Sequence, residues 1–207
     1  QRGSGIVRFC EPYLCKDAKI LEIGSGNGGI LYAFKLAGYD NLLGVEPNLA
    51  ESKFTSEILN IPTINSMFDN LSDEKFDLIV IAATIDHIQE PSLFFTNIRN
   101  YIRKGGFVYM DSHEIISQII AGDVFFKMDD CYYYSPLSIL LLLNKNGFDI
   151  FSFEACNLYL KEPLYIRSKR NMWKSNFPRS FQLLASPGKP LGLDYLIKRF
   201  SKDIKKD

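Results

Sequence analysis

The sequence predicts an α/β fold with a doubly wound, mostly parallel sheet, helices on both faces and an antiparallel C-terminal edge hairpin. Up to residue 122, short apolar segments alternate with helix-like segments, as in a parallel sheet that is covered on both faces. The chain then changes to alternating, aromatic-rich segments, which indicate antiparallel strands. With 207 residues and 46% hydrophobic content, the chain is long enough for one substantial core.

The first part of the chain supplies the parallel strands. Apolar strands are expected at residues 18–23, 41–45, 76–81 and 107–110, with a weaker strand at 62–65. Helices are expected at residues 27–36, 47–59 and 91–102, because proline favours a first helical turn and glycine favours a helix end. A further helix is expected at residues 113–120. The carboxyl ends of all these strands then meet at one edge, where ligands bind.

The last third of the chain has a different pattern. Ser135 and Pro136 form an N-cap and first-turn pair that begins a leucine-rich helix over residues 136–144. Residues 148–153 and 158–167 alternate in polarity and are expected to pair as the antiparallel hairpin. We therefore expect one domain over residues 1–167, followed by a C-terminal extension of unknown role over residues 168–207.

Composition excludes several classes of protein. The formal net charge is zero, so there is no global electrostatic reason to expect a nucleic-acid partner. The four cysteines, Cys10, Cys15, Cys131 and Cys156, contain no C-x-x-C pair, so we expect reduced thiols and no metal site. Because no segment resembles a signal peptide or is apolar enough to span a bilayer, we expect a cytoplasmic protein. The oligomeric state is not predicted.

A glycine-rich loop after the first strand is the most informative stretch. Residues 20–29 are ILEIGSGNGG. A buried strand followed by such a loop and a helix brings backbone N–H groups close to a nucleoside-like ligand. Gly24, Gly26 and Gly29 fit the dinucleotide pattern G-x-G-x-x-G. Gly24, Gly26 and Gly28, preceded by Glu22, fit a different pattern, in which Gly29 has no required role.

Of two acidic residues near the loop, Glu22 helps to choose between these patterns, whereas Glu46 fits both. Glu22 lies near the end of the buried strand, where its carboxylate would repel the pyrophosphate of NAD. S-adenosylmethionine (SAM) carries no phosphate and has an ammonium group that a carboxylate can orient. Glu46 ends the second strand, where a carboxylate accepts hydrogen bonds from the ribose of either cofactor. The alternative role for Glu46 is at the N-terminus of the next helix.

Further motifs follow in a recognisable order. They are Gly44-Val45-Glu46-Pro47, Phe76-Asp77-Leu78-Ile79-Val80, Ile85-Asp86-His87-Ile88-Gln89-Glu90-Pro91, Tyr101-Ile102-Arg103-Lys104-Gly105-Gly106 and Tyr134-Ser135-Pro136-Leu137. With the glycine loop, this order resembles the class I SAM-dependent methyltransferases, small-molecule type, including sugar methyltransferases. The resemblance covers roughly residues 6–166. It departs from the family at Asp86, because glutamate usually precedes this histidine.

The resemblance implies a Rossmann-like fold, SAM as cofactor, and a small polar acceptor, with a sugar or nucleotide-sugar favoured. The implied cofactor site consists of Glu22, Gly24, Ser25, Gly26, Gly28, Glu46, Pro47, Met67, Phe68, Ala82 and Ala83. Met67 and Phe68 would flank the adenine, with core packing as an equally good explanation. Ala82 and Ala83 would leave space near the methyl group.

Two histidines are candidate bases for the acceptor. His87 and His113 both follow strand ends at the ligand-binding edge. The alternatives are a structural role in a loop for His87 and helix capping for His113. The aromatic residues Phe125, Phe126, Tyr132, Tyr133 and Tyr134 form either a lid over the acceptor or a flap on the sheet edge.

Two other functions fit parts of the sequence. An NAD-linked Rossmann oxidoreductase explains the glycine loop and Glu46 equally well. A non-catalytic methyltransferase-like binding module would keep the fold without the reaction. The response of the protein to SAM and NAD distinguishes the three functions.

Overall fold

The computed structural model describes residues 2–68, 71, 74–113, 115, 128–156 and 180–189. The strands are β1 (Ile20–Ile23), β2 (Leu42–Val45), β3 (Thr63–Ile64), β4 (Phe76–Ala82), β5 (Ile102–His113), β6 (Phe148–Cys156) and β7 (Ser180–Pro187). The helices are α1 (Arg2–Cys10), α2 (Gly29–Leu36), α3 (Leu49–Lys53), α4 (Pro91–Ile98) and α5 (Pro136–Lys145). Helix α3 continues as a π-helical turn, Phe54–Ile58, and Ser135 caps α5 as predicted.

One seven-stranded sheet runs in the order β3-β2-β1-β4-β5-β7-β6. Strands β1 to β5 are parallel to one another, whereas β7 is antiparallel to both β5 and β6. The chain reverses its direction across the sheet between β1 and β4, and ligands bind at such a switch point in α/β sheets. The predicted fold class, with its antiparallel C-terminal strands, is confirmed.

Two hydrophobic layers cover the faces of the sheet. Leu21 and Ile23 of β1 pack in the layer that contains α4 and α5. Ile20 packs in the opposite layer, which contains α1 and α2. Because side chains alternate along a strand, Glu22 shares the face of Ile20 and lies beneath α1 and α2. The burial of Leu21 and Ile23 on one face of the sheet therefore places Glu22 on the other face.

Strand β5 is longer than the sequence predicts. It covers Ile102–His113 rather than residues 107–110, and α4 ends at Ile98 before a 3₁₀ turn, Arg99–Tyr101. The pairing of His113 with Ser180 on β7 holds the carboxyl end of β5 in the sheet. The expectation that His113 begins a helix is therefore wrong. Residues 114 and 116–120 lie outside the described residues.

Strand β6 pairs with β7, residues 180–187, in the described structure. The partner predicted for it, residues 158–167, lies outside the described residues. Strand β7 lies between β5 and β6 and buries Phe181, Leu183, Leu184 and Ala185. Because β7 is an interior strand, its residues are buried on both faces of the sheet. The sheet thus continues past the predicted domain boundary at residue 167.

The side chains of three of the four cysteines are described, and each is a free thiol. Cys10, Cys15 and Cys131 are free, with Cys10 buried in the layer beneath α1. In the part of the chain that the structure describes, every helix is too short or too polar to cross a membrane.

Candidate active site

The loop between β1 and α2 needs glycine at three positions. Gly24, Gly26 and Gly28 have φ values of +70°, +51° and +73°. Side chains with a Cβ rarely adopt this left-handed conformation. A Cβ at Gly24 would also lie 2.6 Å from Thr84 Oγ1, and one at Gly28 would lie 2.5 Å from Thr55 Cγ2. The loop backbone is therefore held close to its neighbours on both sides.

Gly29 differs from these three glycines. No positive φ is found there, and a Cβ would meet only Asn27 Oδ1, at 3.4 Å. The third required glycine is Gly28, as predicted, and the match of Gly29 to the dinucleotide pattern has no structural basis. The loop geometry therefore favours the pattern that begins at Glu22.

Glu46 ties this loop to the end of β2. Its buried carboxylate accepts hydrogen bonds from the N–H of Gly26 at Oε2 and from the N–H of Asn48 at Oε1, each at 2.8 Å. The side chain of Asn48, not of Glu46, caps α3. Each carboxylate oxygen keeps a lone pair for a ribose hydroxyl. Asn65 fixes the turn by donating to the carbonyls of Glu46 and the exposed Pro47, each at 2.9 Å.

Two buried polar atoms beside the loop have no hydrogen-bond partner in the described structure. They are Glu22 Oε2 and Ser25 Oγ, on side chains that are 1% and 6% exposed. Burial raises the pKa of Glu22 well above its usual range, against the opposing effects of Arg2 and the N–H of Leu31. Unpaired buried groups of this kind are uncommon in folded proteins. The ammonium, carboxylate and hydroxyl groups of SAM would supply partners, so these residues fit that cofactor.

Asp111, at the carboxyl end of β5, connects the site to α1. Its buried carboxylate lies 2.7 Å from Arg2 Nη2 and accepts hydrogen bonds from Tyr109 Oη at 2.8 Å and from Ala83 N–H at 2.9 Å. Ala83 has a φ of +49°, so this contact holds an unfavourable backbone conformation directly after β4. Sequence analysis missed Asp111, although an acidic residue at the end of a predicted strand was a usable signal.

Met67 and Phe68 have different environments. Phe68 packs edge-to-face on Phe94 and Tyr101, at ring-centroid distances of 5.5 and 5.4 Å. Met67 is 65% exposed. The core-packing role therefore accounts for Phe68, and Met67 is the side chain that is open to a ligand. Ala82 is buried at the end of β4, as a residue beside the methyl group would be.

A second acidic residue, Asp86, follows β4. Its carboxylate is 6% exposed and accepts a hydrogen bond of 2.7 Å from Ser112 Oγ at the end of β5. Burial raises the pKa of Asp86 to about 6, although the Ser112 hydrogen bond and His87 lower it. Sequence analysis noted Asp86 only as a departure from the family. Its pairing with Ser112 depends on how β4 and β5 meet, which no local motif reveals.

His87 is oriented by the segment that precedes α5. Its Nδ1 lies 3.0 Å from the carbonyl oxygen of Asp129 and 3.4 Å from Asp130 Oδ1. A proton on Nδ1 satisfies the carbonyl and leaves Nε2 as the acceptor, which suits a base. The polar atoms of His87, Asp129 and Asp130 lie within 4.8 Å of one another, and acidic clusters of this kind are common without a bound ion. His113 is instead half-buried at the end of β5.

A family model described as "Methyltransferase domain" matches residues 4–152. The chain belongs to this family. It is 33% identical over 97 residues to a tRNA U34 carboxymethyltransferase of Dichelobacter nodosus, covering 42% of this chain and 30% of the relative. It is 24% identical over 136 residues to the (S)-tetrahydroprotoberberine N-methyltransferase of Eschscholzia californica, covering 61% and 38%. The chain thus spans about a third of each relative.

Solved structures confirm the fold of this methyltransferase domain. A SAM-dependent methyltransferase from Clostridium acetobutylicum matches with a TM-score of 0.66 and 15% identity, covering 90% of this chain and 91% of that chain. The predicted family and its cofactor, SAM, agree with these findings. The alternative function, an NAD-linked oxidoreductase, does not agree with them. The similarity to sugar methyltransferases in particular is not confirmed by these relatives.

Proposed function

We propose that this methyltransferase domain transfers the methyl group of SAM to a small polar acceptor at the carboxyl edge of the sheet. The observation that supports it most strongly is the pair of unpartnered polar atoms, Glu22 Oε2 and Ser25 Oγ, beside a loop that needs three glycines. Ser25 belongs to this loop and Glu22 precedes it on β1, and Glu46 holds the same loop through the N–H of Gly26. The arrangement fits a nucleoside that carries an amino-acid group and no phosphate.

Each residue has a role in this proposal. SAM supplies a methyl group on a sulfonium, which is a good leaving group. The backbone at Gly26 lets the cofactor lie close to the loop, and Glu46 binds the ribose hydroxyls. Ala83 leaves room for the methyl group, and His87 Nε2 accepts a hydrogen bond from the acceptor. The protein mainly aligns the acceptor and excludes water.

The charge of the residues beside the site indicates which acceptor it can bind. The names of the two curated relatives refer to different acceptors, a tRNA position and an alkaloid nitrogen. The carboxylates of Asp86, Asp129 and Asp130 beside the site would repel a phosphate group. We therefore favour a small molecule over a nucleic acid, and an acceptor without phosphate over a nucleotide-sugar.

Calorimetric titration with SAM, S-adenosylhomocysteine and NAD tests the proposal. We expect SAM and S-adenosylhomocysteine to bind, and SAM at a hundred times its Kd to add about 2.7 kcal/mol of stability. We expect Glu46→Ala to weaken SAM binding by about tenfold or more, because a charged hydrogen bond is worth roughly 1.5–3 kcal/mol. Glu57→Ala, which removes an exposed carboxylate from the segment after α3, is the control.

The possible results separate the three functions. Binding of NAD in place of SAM would support an oxidoreductase. Weak or absent binding of both SAM and NAD would support a non-catalytic module. An unchanged SAM affinity in Glu46→Ala would contradict the assigned cofactor site.

A further inference from the structure

The acceptor side of the site carries an excess of negative charge. Asp86, Asp129 and Asp130 are grouped there around His87. Within the described residues, no lysine or arginine forms an ion pair with any of the three. Asp111, on the neighbouring strand, differs because Arg2 pairs with it at 2.7 Å. The uncompensated carboxylates therefore lie on the side where an acceptor would bind.

Asp86 has one carboxylate oxygen available to a ligand. Ser112 Oγ donates to Oδ1, and no described donor reaches Oδ2. Asp86 as a whole is only 6% exposed, but Oδ2 is not among the fully buried atoms without a partner, so a ligand can reach it. A donor from a ligand would form a charge-assisted hydrogen bond with this oxygen.

The hydroxyl of Tyr134 is a second group that lacks a partner. Tyr134 is 6% exposed, and its hydroxyl has no hydrogen-bond partner in the described structure. The backbone carbonyl of Asp86 accepts hydrogen bonds from the N–H groups of Cys131 at 2.7 Å and Tyr132 at 3.2 Å, which holds this segment against Asp86. Burial and the nearby carboxylate of Asp86 both raise the pKa of Tyr134. The hydroxyl therefore stays protonated beside Asp86.

The ring of a second tyrosine, Tyr132, lies beside that of Tyr134. The rings of Tyr132 and Tyr134 lie 6.0 Å apart between centroids, with an angle of 37° between their planes. The electron-rich face of an aromatic ring attracts a cation, and does so more strongly when water is excluded. A carboxylate next to tyrosine rings is thus a suitable site for an ammonium group, whereas a neutral hydroxyl would gain a hydrogen bond but no ion pair and no cation–π attraction.

The turn that leads from β4 to Asp86 contacts the cofactor loop. Thr84 Oγ1 donates to the carbonyl of Ile23 at 3.2 Å and lies against Gly24. This contact joins the turn after β4 to the glycine loop, and Asp86 follows Thr84 by two residues. A group bound at Asp86 is therefore close to the end of the site that Ala83 leaves open.

From this geometry we propose that the acceptor is a primary or secondary amine, and that Asp86 Oδ2 and the Tyr134 hydroxyl bind its nitrogen. This substrate class rests on the methyltransferase function proposed above. One proton passes from the ammonium nitrogen to Asp86 Oδ2 and leaves a lone pair on nitrogen. That lone pair forms the new N–C bond while the C–S bond breaks, and the electron pair of the broken bond stays on sulfur. The product is an N-methylammonium ion, and Asp86 releases its proton to water.

Matched sets of simple acceptors test the substrate class. We would supply labelled SAM with benzylamine, benzyl alcohol or benzoate, and likewise with the amine, alcohol and acid of a phenethyl and a butyl skeleton. We expect methylation of at least one amine, at least about tenfold faster than its matched alcohol and acid, with the product mass showing N-methylation. Preference for an alcohol or an acid, or no methylation of any amine by protein that binds SAM, would overturn the proposal.

Variants of the two residues test the assigned roles. We expect Asp86→Asn to lower kcat/KM for the amine by at least about tenfold and to change its pH profile, while the Kd for SAM stays within about twofold. We expect Tyr134→Phe to raise KM more than it lowers kcat. Asp40→Asn, which neutralises an exposed carboxylate before β2, is the matched control. Wild-type kinetics in Asp86→Asn would overturn the role of Asp86, and a protein that fails to bind SAM would overturn the proposed function itself.

Discussion

Two buried carboxylates at the strand ends, Asp111 and Asp86, differ in how well their negative charge is compensated. Asp111 is completely buried, but Arg2 and two further donors compensate its charge. Asp86 has only the Ser112 hydroxyl as a described donor, and burial raises its pKa to about 6. An ionised Asp86 is therefore unfavourable in the folded protein, and an ammonium ligand would relieve this cost.

This difference predicts how stability depends on pH. The folded protein binds the Asp86 proton more tightly than the unfolded chain, because the pKa is about 6 in the fold and 3.8 otherwise. The stabilisation is therefore complete below about pH 4 and is lost as the pH rises through 6, on the order of 3 kcal/mol in all. We expect Asp86→Asn to lack this loss and to be more stable than the wild type at pH 8.

Urea unfolding between pH 4 and pH 8 measures this effect. The difference between the wild-type and Asp86→Asn free energies of unfolding isolates Asp86 from other groups, including Glu22. Asp40→Asn should follow the wild-type curve, since that side chain is exposed. Parallel curves for wild type and Asp86→Asn would contradict the buried, uncompensated carboxylate.

Among the elements, the loop between β1 and α2 has the tightest geometry. Gly28 combines a φ of +73° with a contact to Thr55 on the π-helical turn after α3. Gly29, the first residue of α2, has neither constraint. Two adjacent glycines therefore differ in what they allow, although the sequence alone treats them alike.

This contrast predicts opposite effects of one substitution at adjacent positions. We expect Gly28→Ala to lower the free energy of unfolding by about 1–3 kcal/mol, because the alanine is strained at positive φ and its Cβ meets Thr55. We expect Gly29→Ala to be neutral or stabilising by up to about 1 kcal/mol, because alanine favours the helix. Thermal and urea unfolding of both variants measures the difference, and equal losses would contradict the assigned loop geometry.

Short sequence motifs predict the features of this molecule that depend on residues close together in the chain. The glycine loop and the position of Glu46 follow from short segments, and their arrangement follows from the rule that parallel strands end at one edge. The pairing of Asp86 with Ser112 and the insertion of β7 join residues far apart in the chain. The alternating pattern of residues 158–167 says nothing about position within the sheet, so it could not reveal that β7 pairs with β6.

Over the whole molecule, β7 links the late part of the chain to the site. It pairs with β5 from Val108 to His113, and Ser112 lies opposite Phe181 in this register. Ser112 is also the donor to Asp86. The strand that completes the sheet therefore also holds the acceptor side in place.

Truncation of the chain tests the contribution of β7. A chain that ends at residue 167 lacks the buried side chains of Phe181, Leu183 and Leu184. At roughly 1.5–3 kcal/mol each, their burial approaches the 5–15 kcal/mol total stability of a typical domain. The truncation also leaves β6 without a neighbour in the described sheet.

We expect the chain that ends at residue 167 to lose cooperative unfolding and SAM binding, as measured by circular dichroism and calorimetry. A chain that ends at Lys189 keeps all seven strands and should retain both properties. Cooperative melting of the shorter chain within a few degrees of the full chain would show that the domain ends before β7.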